Sequence, residues 1–141
     1  MGLTSAGLDF LAYTLVNGHK LALGTNSTTP LSVGYRNYAD VSINWSQSAG
    51  GDGTNANMYS SGGVLKNYNT FYFNDADDTS GQTSNGWGTI SHLFIVDSQR
   101  DVLYSGALTT PVNVPQDTRP KFLPGTSSTG IYITLTATET T

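Results

Sequence analysis

The segment 87–108, WGTISHLFIVDSQRDVLYSGAL, constrains the fold of this chain more than any other. The apolar run Leu93-Phe94-Ile95-Val96 is followed by the polar interruption Asp97-Ser98-Gln99-Arg100-Asp101, after which Val102-Leu103-Tyr104 resumes. Two runs rich in β-branched and aromatic residues, parted by a short turn-forming segment, read as a β-hairpin. Along the first run Leu93 and Ile95 point to one face of the strand, Phe94 and Val96 to the other. A strand with one wet face alternates apolar with polar, and this one does not, so both its faces are covered. It belongs in the middle of a sheet, with Phe94 and Ile95 both buried.

The rest of the chain agrees with a β-rich fold. At 141 residues it fits a single domain, residues 1–141, with a sizeable core. Charged residues make up 11%, less than half the usual share of about 25%, and Thr, Ser, Asn and Gly take their place. So few charges predict that much of the surface meets other protein. The net charge of −4, with no basic stripe, argues against nucleic-acid binding, which needs cations to displace counterions from phosphates. The absence of cysteine removes disulfides, Cys-ligated metal and thiol catalysis. Hydrophobic runs are too short for a membrane span, and no basic leader precedes an apolar core at the start. The expectation is a protein made and kept, or assembled, in a cytoplasm.

Residues 1–18 read as a short N-terminal helix. Thr4 or Ser5 serves as N-cap, Leu8, Leu11, Ala12 and Leu15 fall at helical spacing, and Asn17-Gly18 supplies the stop. The stripe is narrow, so the helix docks on something rather than sitting inside. Residues 20–24 form a short strand, 25–30 a polar turn, and 41–45 alternate as a half-buried strand. Residues 46–63, SQSAGGDGTNANMYSSGG, read as a long loop in which Met58 and Tyr59 have no apolar neighbours. Such a loop is either a plain surface loop or an arm that orders against a partner, and Leu8, Leu11, Leu15, Met58 and Tyr59 are the candidate partner-interface residues. Strands follow at 70–73, in the hairpin, and at 121–123. Pro111 and Pro115 bracket an edge segment. The closing run 131–136 turns Ile131, Ile133 and Leu135 to a core and Tyr132, Thr134 and Thr136 outward. The sum is an all-β, β-sandwich or jelly-roll-like domain with one short N-terminal helix.

Candidate chemistry is sparse. Asp75, Asp77 and Asp78 offer oxygen ligands at close spacing, but the calcium-loop pattern fails, with Ser80 where glycine belongs and Gly86 where the bidentate glutamate belongs. His92 lies beside Ser91, with Ser105 across the hairpin, yet no third residue orients the imidazole and no G-x-S-x-G elbow exists. The two histidines, His19 and His92, cannot build a three-His zinc site. The expectation is a non-enzymatic protein with no catalytic residues, no cofactor and no metal. The sequons at Asn26 and Asn44 carry no weight without a secretory leader. Trp45, Trp87 and the eight tyrosines fit a sugar-binding platform, though core and interface packing accounts for most of them.

Two stretches carry a resemblance. The opening MGLTSAGLDFLA resembles the start of short virion proteins of tailed bacteriophages, with Ser5 in place of Asn and Leu8 in place of a charged residue. Residues 88–112, with SHLFIVD leading to YSGALTTP, are similar to the C-terminal half of phage tail-fibre-like and capsid-decorating proteins. The departure is at the turn, where Gln99-Arg100-Asp101 stands for the usual glycines. The resemblance implies a virion structural protein, foremost a capsid decoration (cement) protein, assembled in the bacterial host cytoplasm. Its implied partners are the major capsid protein or other virion proteins, within a symmetric homo-oligomer. A tail fibre, adaptor or baseplate component is the second reading and a host-glycan-binding module the third.

Overall fold

The computed structural model describes residues 4–45, 57–67, 70–76, 86–123 and 130–135. Among them the chain forms helix α1 (Ser5–Val16) and strands β1 (Lys20–Gly24), β2 (Val41–Ser42), β3 (Asn44–Trp45), β4 (Asn57–Ser61) and β5 (Val64–Asn67). Then come β6 (Phe71–Tyr72), β7 (Gly88–Val96), β8 (Val102–Val114), β9 (Lys121–Phe122) and β10 (Tyr132–Thr134). The protein is therefore all-β with a short N-terminal helix, as its sequence predicts. Contacts gather into two compact units of discontinuous segments. One comprises Met1–Gly18, Ile43–Phe71 and Phe122–Thr141, the other His19–Ser42 and Tyr72–Lys121. A two-stranded ribbon pairs β6 with β9.

The second unit is built on the hairpin. Its sheet runs β2-β1-β7-β8, so β7 is central, and Leu93, Phe94, Ile95 and Val96 are all buried. The turn is held by Asp97, whose carboxylate accepts from the N–H groups of Gln99 and Asp101, both at 2.9 Å. Arg100 occupies a left-handed backbone position there, φ 62°, which an L side chain adopts at a cost. What holds it is its guanidinium, which donates to Asp40 at 2.8 and 3.1 Å and to the Leu31 carbonyl at 2.8 Å. The buried Tyr38 hydroxyl donates to the same carboxylate at 2.7 Å and accepts from the Leu23 N–H at 2.9 Å. One ion pair thus explains why this turn dispenses with glycine. Further along, Ile90 pairs with Val112 and His92 with Ala107, so Ser91 stands opposite the bulged residues 108–111. The bulge accommodates Pro111 within a strand that lies at the edge of the sheet.

The first unit carries the sheet β10-β5-β4-β3 with α1 against it. Ala12, Val16, Ile43, Met58, Leu65, Phe71, Ile131 and Ile133 are buried. Asn67, 1% exposed, ties the unit together. Its Nδ2 donates to the carbonyls of Phe122 (3.2 Å) and Leu123 (2.7 Å), and its Oδ1 accepts from the Ile131 N–H at 2.8 Å.

Three expectations are corrected here. The loop reading of 46–63 fails over its C-terminal part: Asn57–Ser61 is strand β4, paired with β3 and β5, while residues 46–56 lie outside the described set. Met58 is 0% exposed, because alternation along β4 turns it and Ser60 inward. Residues 41–45 are not one strand, since β2 pairs with β1 and β3 with β4 on either side of the buried Ile43. The helix stripe holds in part: Ala12 is buried and Leu8 and Leu15 are half-buried, but Leu11 is 46% exposed and Val16, outside the stripe, is buried instead.

Candidate functional site

The first unit holds a cleft of about 630 Å³ lined by Ala6, Asp9, Phe10, Tyr13, Trp45 and Ser60. Thr4 starts the helix that supplies four of these residues, its hydroxyl accepting from the Gly7 N–H at 3.1 Å. Positions 6, 9, 10 and 13 then share a helix face by their three- and four-residue spacing. Trp45 arrives from β3, which runs parallel to β4, and its ring meets Tyr13 edge-to-face at 5.6 Å and 84°. Phe10, 67% exposed, is a bare aromatic face at the rim.

Asp9 is the polar centre of the cleft. Its Oδ1 accepts from the Ser60 hydroxyl at 2.8 Å and from the Gly63 N–H at 3.0 Å. These donors, the Gly63 N–H foremost and the Ser60 hydroxyl next, hold the carboxyl below the usual carboxylate range. The β4–β5 turn reaches the helix this closely because residue 63 is glycine: a Cβ there would lie 2.9 Å from that of Leu8, and φ is 85°. The arrangement offers a fixed negative charge among ring faces, with no Lys or Arg among the lining residues.

The candidate interface residues are distributed differently. Leu11 is exposed, Leu8 and Leu15 are half-buried with Leu8 against the β4–β5 turn, Tyr59 is half-buried and Met58 is in the core. Sequence reasoning passed over Asp9, Phe10 and Ser60, and named Trp45 and Tyr13 only among the aromatics of a sugar-binding platform. The i, i+4 pair Asp9–Tyr13 beside Phe10 was a usable local signal, whereas Trp45 and Ser60 join only through sheet pairing.

The other candidates remain separate groups. Ser91 Oγ lies 2.8 Å from His92 Nδ1, where the register with β8 shifts between Ile90 and His92. Ser105 pairs with Phe94, not His92, and its hydroxyl donates to the Ser27 carbonyl at 2.9 Å. Asp75 is exposed beside the buried Ala76, and Asp77 and Asp78 fall outside the described residues. Among the described residues no three His, Cys, Asp or Glu side chains cluster as a metal site would require, and no helix is long and apolar enough to cross a membrane. No family model matches the sequence, and no significant match to a curated protein or a solved structure was found.

Proposed function

We propose that this chain is a non-enzymatic structural protein of a tailed-phage virion, in the first place a capsid decoration protein that adds binding area at junctions between capsomers. The observation that carries the reading lies in the segment that resembles virion proteins. There β8 contributes thirteen residues without a charged side chain at a sheet edge, with Val102, Leu103 and Val112 exposed at 41, 44 and 49%. Edges of free-standing proteins are commonly guarded by charges, and exposed apolar groups on a charge-poor surface mark protein contact. Within each unit further large apolar side chains are exposed, Val33 and Tyr72 in the second and Phe10 and Tyr132 in the first. Repetition across a lattice lets many weak contacts of this kind sum to firm attachment. The test is co-sedimentation of the purified protein with particles lacking it: saturable binding is expected, and a Val102→Lys, Val112→Lys double variant should bind less while melting as the wild type does.

A further inference from the structure

We propose that the cleft between α1, β3 and β4 receives the guanidinium group of an arginine on a partner protein. This inference concerns the first unit alone and stands or falls independently of the virion reading. The lining chooses the charge of its occupant. Phe10, Tyr13 and Trp45 line the cleft, an aromatic face carries the negative side of the ring quadrupole and attracts a cation, and Asp9 adds a full negative charge. Asp9 makes no ion pair among the described residues, and the Ser60 hydroxyl hydrogen is already directed at it. An ionised carboxylate has about four acceptor sites. Ser60 and Gly63 take up two of them, both on Oδ1, leaving room for a further donor. That remainder favours guanidinium over ammonium. A planar, weakly hydrated cation can stack on a ring and give a single N–H to the carboxylate, whereas a compact ammonium needs its hydration shell replaced on several sides. An anion would face the carboxylate, and a neutral polyol would leave that charge without compensation.

The experiment titrates the isotope-labelled full chain with N-acetyl-arginine-N-methylamide, following the Trp45 indole N–H and Gly63 amide signals by NMR. The same titration is run with the citrulline analogue, which keeps the shape without the charge, with the lysine analogue, and with methyl glucoside. Saturable shifts at both signals for the arginine probe, tighter than for the other three, are expected. Asp9→Asn should weaken binding about tenfold. Phe10→Ala, at an exposed position, should weaken it roughly threefold with the remaining amide spectrum unchanged, and so serves even if Asp9→Asn disturbs the fold. Equal binding of the citrulline or lysine probe, preferential binding of the glucoside, or absence of saturable shifts with the arginine probe overturns the proposal.

Discussion

Phe94→Ala tests the placement of the central strand. The ring is 0% exposed, on the face of β7 it shares with Val96, and it packs with Ala22 of β1. It also closes on the main chain of Gly24, where an added Cβ would lie 2.6 Å from Phe94 Cε2. Truncation to alanine in such a site costs about 3–5 kcal/mol, the transfer term plus the cavity. For a chain of this size that lowers the melting midpoint by about 10 °C or more, a large part of a total stability of about 5–15 kcal/mol. Gly24→Ala alone overpacks the same contact and should cost about 1–3 kcal/mol. With the ring removed, most of that clash disappears, leaving only the Thr29 carbonyl, 3.0 Å from the added Cβ. The double variant should therefore be more stable than the sum of the single effects by at least about 1 kcal/mol, measured by urea denaturation of all four proteins. A Phe94→Ala midpoint within about two degrees of wild type, or strictly additive costs, would refute this packing.

The remaining expectations concern polar anchors and the β4 segment. Asp40→Ala removes the partner of Arg100 and Tyr38 at once and should cost about 2–3 kcal/mol, because Asp40 is only 3% exposed while Arg100 keeps some water at 34%; thermal melting reads it. Asn67→Ala strands the Phe122 and Leu123 carbonyls and the Ile131 N–H and should cost at least about 2 kcal/mol, visible as faster amide exchange at Ile131. Because the folded Asp9 carboxyl sits below its ordinary value, its contribution is present above about pH 4 and is lost as pH falls through the folded value. Between neutral pH and about pH 3 the wild type should therefore lose more stability than Asp9→Asn, and parallel losses would contradict the hydrogen-bonded carboxylate. The sequence predicts that deleting residues 50–60 leaves the fold intact; with Met58 in the core and β4 between β3 and β5, the deletion should abolish cooperative melting.

The parts of the fold legible in the sequence are those whose signal is local. Strand β1 matches its expected bounds, the unbroken apolar run of β7 marks a central strand, and the alternation at Ile131 and Ile133 marks a buried face. Strand β4 escaped because three of its five residues are Asn or Ser, and Trp45 of its neighbour β3 lies on the far side of residues 46–56. On α1 the leucines drew attention to Leu11, which is exposed, and away from the β-branched Val16, which is buried together with Ala12 of the expected stripe. Four of the six cleft residues, Ala6, Asp9, Phe10 and Tyr13, were readable from helix spacing, and Trp45 and Ser60 came from sheet pairing. Arg100 at a glycine-like position had no local rationale either, since its partner Asp40 is sixty residues away.

The most direct test of the proposed virion role is the copy number of this protein in purified phage particles from the genome that carries its gene, measured by gel densitometry against the major capsid protein. A decoration protein is present in hundreds of copies per particle, following the capsid lattice, and that is the predicted result. A handful of copies would move the protein to the tail, and its absence from washed, intact particles would contradict the virion assignment altogether.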